Sequence, residues 1–239
     1  MLLGAVLVAA SIGAPHGVLE RLGGPAQPLI ARPAKALLEP TVRGAPARNA
    51  AASVAVGQPF NGRLVRGLQL PASGIGFVSW DAVEHRAPNR GWRRFATDRM
   101  INFIERLGAE WTRAHPGAPR LLIGDLSRTH GGPFGSRYGG LGHGSHQNGL
   151  DADIYYPRSD GRERAVTAVS QIDHRLAQDL VNRIVRRGVQ YAFVGPRTGL
   201  TGPKGVVITL VHHDDHVHVR IWNYAGRQSS AQPSGSRSD

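Results

Sequence analysis

Residues 216–221 read HVHVRI, and their alternation decides how the chain is built. In an extended strand, residues two apart share a face and sit roughly 6–7 Å apart along it. Val217, Val219 and Ile221 then face a core, while His216, His218 and Arg220 face the other side. Two imidazoles on one open face suit a metal ion, one as ligand and its neighbour handling protons. An isolated His-x-His is equally well a pair of surface histidines. This one is not isolated: GHGSHQNGLDAD (142–153) and HHDDHVHVR (212–220) together hold six of the chain's 11 histidines.

His146 and Asp153 bracket a turn leading into a strand, and Asp151 and Asp153 alternate with Ala152 and Ile154, so both carboxylates can share a face. Zinc accepts imidazole nitrogen and carboxylate oxygen at roughly 2.0–2.2 Å, normally in a tetrahedron. His146, Asp153 and His218 fill three corners and leave the fourth to water, which is the layout of a catalytic zinc. Two nitrogens and one oxygen favour zinc over calcium or magnesium, which want oxygen.

HGSHQNGLDADI followed by HDDHVHVR resembles the signature of the penicillin-insensitive murein endopeptidases. Their zinc fold is shared with D-alanyl-D-alanine peptidases, lysostaphin-type enzymes and hedgehog signalling domains. NGRLVRGLQLP (61–71), the MINFIERL segment and LLIGDLS…GGPF (121–134) follow in the family's order, so the resemblance covers roughly residues 58–222. It implies that His146, Asp153 and His218 hold zinc. His216 is the neighbour acting on the reacting groups, and His213 is a second active-site histidine. His143 matches a histidine that can touch an additional ion. Asp173 and His174 fit the remaining ligands of such an ion poorly, so one zinc is expected. No glutamate adjoins a ligand as in the His-Glu-x-x-His proteases, which leaves proton transfer to His216 first and His213 second.

The activity so implied is hydrolysis of peptidoglycan cross-links, of the D-alanyl to meso-diaminopimelyl type. Two other readings differ in class or bond: a zinc-binding module of the same fold that recognises cell wall or a protein without hydrolysis, and a D-Ala-D-Ala carboxypeptidase. The presence of His216 and His213 favours an enzyme.

Bulk composition agrees. With 239 residues and 41% hydrophobic content the chain can bury a core, and the absence of cysteine excludes thiolate chemistry, zinc ribbons and disulfide scaffolds. The net charge is +12, and Lys35 and Lys204 are the only lysines among 29 basic residues. A basic surface suits an anionic polymer such as cell wall. The arginines are scattered, without a run or an aromatic-interleaved ribbon, so no nucleic acid partner is expected.

Residues 1–23 form an apolar, signal-like segment, whose Leu2–Ala14 run has signal-peptide length but no preceding basic residue. It points to export, to the periplasm or cell wall, with no membrane insertion beyond a possible N-terminal signal or anchor. Residues 24–57 read as an Ala/Pro/Arg-rich linker, 58–227 as the metallopeptidase domain and 228–239 as a disordered tail.

Two helices are legible inside the domain. Thr97 can cap one with Met100, Ile104, Leu107 and Trp111 on its stripe; Ser170 can cap another with Ile172, Leu176, Leu180 and Ile184, stopped by Gly188. Strands are expected at 121–124, 152–156, 189–195, 206–211 and 216–221. The expected class is α+β: a small, mostly antiparallel sheet, two or more helices packed on it, and a zinc site on the open face.

Several neighbours carry two readings each. Asp151 either orients a ligand imidazole or caps the turn after Gly149. Asp214 and Asp215 either orient His213 and His216 or are merely solvated. Asp125 either bonds the ligand loop or shapes a turn. Ser145 and Gln147 flank a ligand and could bind substrate backbone. Arg137 and Tyr138 are placed on a cleft lip, while His85, His115, His130 and His212 read as surface or loop positions.

Overall fold

The computed structural model describes residues 52–135 and 144–224. The signal-like segment, the linker up to residue 51, the 228–239 tail, and Arg137, Tyr138 and His143 lie outside the described residues.

The HVHVR segment, His216–Arg220, is a strand as its alternation predicts; in chain order it is β11. It pairs antiparallel with β8 (Asp151–Tyr155) on one side and with β9 (Tyr191–Val194) on the other. Beyond β9 lies β10 (Val207–Thr209), parallel to it. Beyond β8 come β7 (Leu121–Ile123), β5 (Phe77–Ser79) and β4 (Ser73–Gly74), completing a seven-stranded sheet of order β10-β9-β11-β8-β7-β5-β4. Its β9–β10 and β5–β7 pairings are parallel and the other four antiparallel, so the sheet is mixed with an antiparallel centre.

Two α-helices cover one face. In α1 (Asp98–Ala114) the Thr97 hydroxyl accepts the Met100 N–H, and Met100, Ile104, Leu107 and Trp111 are buried. In α2 (His174–Arg186) the buried stripe is Leu176, Leu180 and Ile184. The cap of α2 is Asp173, whose carboxylate accepts the Leu176 N–H; Ser170 instead sits in a 3₁₀ turn, Val169–Gln171. The reason is Ile172, which is extended and bridges to Arg158, so helical geometry cannot begin before it. Both stripes pack with Ala152, Ile154, Ala192, Val194, Val217 and Val219 in one core. Fully burying an aliphatic side chain of this size stabilises by about 1.5–3 kcal/mol.

Because strand side chains alternate, burying Val217 and Val219 against the helices turns His216, His218 and Arg220 to the opposite face. Asp151, Asp153 and Tyr155 of β8 join them there, by the register His216↔Tyr155, His218↔Asp153 and Arg220↔Asp151. Both strands come from segments read as strands in the sequence.

The folded region starts earlier than expected. A hairpin of β1 (Val54–Gln58) and β2 (Asn61–Val65) occupies the end of the supposed linker, and β3 (Leu68–Gln69) pairs with β6 (Phe95–Ala96) nearby. Glycines blur the alternation of this hairpin, which is why it does not read as a strand pair. Among the described residues no helix is long and apolar enough to cross a membrane.

The hairpin holds the loop that carries His146. Gln147 donates its backbone N–H to Pro59 O at 2.9 Å and its Nε2 to Phe60 O at 2.8 Å, and Oε1 accepts from the Gly62 N–H at 3.3 Å. Gly131 passes beneath with φ +72°, and a Cβ there would run into the Gln147 carbonyl oxygen. We expect Gly131→Ala to lower unfolding free energy by about 1–3 kcal/mol, from left-handed strain plus the clash. Urea denaturation checks this; an unchanged midpoint would show that the loop does not depend on that approach.

Candidate metal centre

Strand register supplies two of the three expected ligands. Asp153 and His218 are directly opposite each other on β8 and β11, at a spacing where side chains touch. His146 arrives from the loop before β8 with φ +67°, a left-handed conformation unusual for histidine. Its N–H donates to Asp151 Oδ2 at 3.3 Å, and the Gln147 bonds to the hairpin hold the next residue. All three side chains are buried.

Their ligand atoms lie within 4.8 Å of one another. Asp153 Oδ1 is the focus, 3.3 Å from His146 Nε2, 3.2 Å from His218 Nδ1 and 3.4 Å from His216 Nε2. None of these contacts has hydrogen-bond geometry, although the oxygen is buried. Three other carboxylates are buried among the described residues, and each has an arginine. Asp81 pairs with Arg90 at 2.6 Å, Asp125 with Arg93 through Nε at 2.6 Å, and Asp151 with Arg220 at 2.6 Å. Asp153 has imidazoles only. A carboxylate oxygen and two imidazole nitrogens converging in a buried site fit a borderline cation such as zinc.

Asp151 resolves toward the first of its two readings. Its Oδ1 lies 3.0 Å from His218 Nε2, which leaves Nδ1 turned toward Asp153. A carboxylate behind a ligand imidazole fixes both ring orientation and tautomer. His216 is held similarly, with Nδ1 2.7 Å from Asp215 Oδ1. Asp214 does not orient His213: it binds Arg197 at 2.7 Å, and the His213 Nδ1 lies 2.7 Å from Val211 O. The His213 and His216 rings are 5.0 Å apart.

Asp125 is a buried partner of Arg93 and Asn89, and its backbone oxygen accepts the Asp153 N–H. Arg93 also stacks on Phe134, whose ring stands edge-on to His146. Nothing in the GWRRF segment (91–95) marks Arg93 as the exception among so many arginines. Gln147 is spent on the hairpin rather than turned to substrate, whereas Ser145 lines the cleft.

The site opens into a cleft of about 950 Å³. His85 and His212, read from sequence as ordinary loop residues, line it, both with positive φ, while His115 pairs with Asp179 on the helical side. Backbone strain of this kind collects at functional sites. Its signal in the sequence is absent, because φ is set by the fold.

Burial pulls the His218 pKa down, but the hydrogen bond to Asp151 and the charges of Asp151 and Asp153 outweigh it and raise the value to about 9. Burial likewise pushes Asp153 up, and the His146 and His216 charges hold it well below the usual carboxylate range. The site therefore stabilises positive charge, and a proton and a metal ion compete for it. An unfolded histidine titrates near 6.5, so the stabilisation from protonated His218 is full below about pH 6.5 and is lost as pH rises through about 9. We expect the metal-free protein to lose stability across that window and zinc affinity to rise across it. Denaturation and zinc titration at several pH values check both. Asp151→Asn should keep the fold yet weaken zinc binding by about 10–100-fold, measured by competition with a chelating dye.

The family model for the penicillin-insensitive murein endopeptidases matches residues 55–194, more than half of the chain. The match ends with β9, so β11 and its histidines reach the site through the fold, outside the matched span. A protein of Haemophilus influenzae bearing the same family name is 36% identical over 100 residues, 42% of this chain and 30% of its own length. One from Yersinia pestis is 36% identical over 94 residues, 39% of this chain and 31% of its own. One from Pectobacterium atrosepticum is 32% identical over 120 residues, 49% and 38%. The chain thus spans about a third of the length of the curated relatives it matches. By the family match across β1 to β9, the chain belongs to the penicillin-insensitive murein endopeptidases.

Proposed function

We propose that this chain is an exported zinc endopeptidase that hydrolyses peptide cross-links of peptidoglycan, of the D-alanyl to meso-diaminopimelyl type. The observation that carries the reading is the convergence of His146, Asp153 and His218 beside a carboxylate-held histidine, inside a cleft. The relatives' name supplies the substrate class, and the signal-like N-terminal run supports export. His146, Asp153 and His218 would hold zinc, which would supply a Lewis acid for the scissile carbonyl and lower the pKa of water to roughly 7.

The protein's own groups do the proton work. With Nδ1 held by Asp215, His216 presents Nε2 beside the ligand set, 3.4 Å from Asp153 Oδ1. Burial lowers its pKa, but Asp153 and Asp215 outweigh burial and raise it. Burial dominates at His213 and lowers the pKa there. Two imidazoles pushed in opposite directions suit a division of labour, one holding a proton and one ready to accept it. His213, biased toward the neutral form, accepts the proton of the attacking water, and His216, biased toward holding a proton, steadies charge developing on the carbonyl oxygen and protonates the leaving amine.

His143 lies outside the described residues; one zinc, at His146, Asp153 and His218, is proposed. A non-hydrolytic module would have no use for Asp215 bound to His216, which favours the enzyme.

Purified cross-linked muropeptide dimers test the proposal by mass spectrometry. We expect monomers to appear, to cease with a chelator and to return with zinc. Loss of a terminal D-Ala from an intact dimer would instead show a carboxypeptidase. His216→Ala should keep zinc and lower turnover by about 10²–10⁴-fold. Near-full hydrolysis by that variant would remove the role assigned to His216.

A further inference from the structure

Three arginines line the cleft among the described residues: Arg164, Arg197 and Arg220. Arg197 is occupied by Asp214 and Arg220 by Asp151. Arg164 is exposed, and no carboxylate among the described residues pairs with it. The cleft's own acids are engaged elsewhere: Asp125 holds Arg93, Asp153 faces His146, His216 and His218, Asp214 holds Arg197 and Asp215 holds His216. The adjoining stretch 136–143 contains no acidic residue in its sequence. Among the described residues, Arg164 is therefore the cleft arginine without a carboxylate partner.

That cation is held in place from both sides. Glu163, immediately before it, accepts Arg120 Nε at 2.7 Å and Nη2 at 2.6 Å. Ala165, immediately after it, is buried against Trp80, Tyr155, Val78 and Leu122. Farther along, the Thr167 N–H donates to Gln171 Oε1 at 2.8 Å. A segment pinned at Glu163 and Ala165 presents Arg164 with little backbone entropy left to lose on binding. Trp80 and Tyr155 line the cleft beside it, and the Trp80 indole N–H is buried without an acceptor among the described residues. This wall thus offers an apolar surface, a guanidinium carried on an anchored backbone and an unused donor.

We propose that Arg164 is a specificity-determining residue, which selects peptides carrying a free carboxylate next to a small apolar side chain and docks that carboxylate against the Trp80–Ala165 wall. The inference rests on the reading of the cleft as a peptide site. It adds the chemistry by which one peptide is preferred to another. Guanidinium forks match carboxylates in geometry and bond them more strongly than neutral donors do.

Binding and cleavage are measured side by side on two cross-linked muropeptide dimers, one with its stem-peptide carboxylates free and one with them amidated. Binding uses the zinc-loaded His216→Ala protein and isothermal titration calorimetry; cleavage uses the unsubstituted chain. We expect the free-acid dimer to bind about tenfold more tightly than the amidated one, and Arg164→Ala to erase the difference. In cleavage, Arg164→Ala should raise KM for the free-acid dimer by a similar factor with kcat within about twofold, while Arg164→Lys keeps part of the preference. Arg162→Ala is the control for general surface charge, since Arg162 is exposed on the same segment but does not line the cleft. Equal binding of the two dimers, no binding of either, or an Arg164→Ala effect no larger than that of Arg162→Ala overturns the inference. Selective binding without cleavage would leave the subsite standing and remove the hydrolytic reading instead.

Discussion

The register between β8 and β11 is the constraint on which the rest depends. Placing Val217 and Val219 under the helices against Ala152 and Ile154 leaves one face for Asp151, Asp153, His216, His218 and Arg220. A slip of β11 by one residue would turn His216, His218 and Arg220 to the other face, away from Asp151 and Asp153. Four buried apolar residues thus enforce the opposition of His218 and Asp153, and the core's stability sets the precision of the site.

The third ligand needs a different device, because a loop lacks a sheet's register. His146 sits in a strained backbone conformation, and strain persists only where the surroundings over-determine it. Here they do: Asp151 takes its N–H, Gln147 ties the next residue to the β1–β2 hairpin, and Asn148 donates to Gly57 O. The same Asp151 carboxylate touches His218 and Arg220, so one buried group joins the loop ligand to the strand ligand. The hairpin, far from the cleft's chemistry in sequence, acts as the backing plate of the metal loop.

What could be read in advance follows from period and chemistry. Val217/Val219 and Met100/Ile104/Leu107/Trp111 show the two periods plainly, so β11 and α1 were legible together with the face that carries His216 and His218. The cap of α2 shifted from Ser170 to Asp173 because a bridge at Ile172 overrode a local preference. The β1–β2 hairpin was missed since Gly57 and Gly62 interrupt its alternation. Arg93 and Arg164 were illegible for another reason. Among so many arginines, identity says nothing about which one is buried on a carboxylate and which one stands unpaired in a cleft; only the three-dimensional partner list separates them.

Charge bookkeeping across the buried carboxylates explains why the fold stops short of neutralising itself. Asp81, Asp125 and Asp151 each receive a guanidinium, a cation that is always charged and never leaves. An arginine at Asp153 would have made the site more stable and chemically inert, because a permanent cation cannot exchange or act as a Lewis acid. Three imidazoles were placed around that oxygen instead. Imidazoles can surrender a proton near neutral pH and offer a lone pair, which guanidinium cannot. The deficit of one fixed positive charge at Asp153, beside three carboxylates that have theirs, is therefore the feature that makes this strand pair a candidate metal centre.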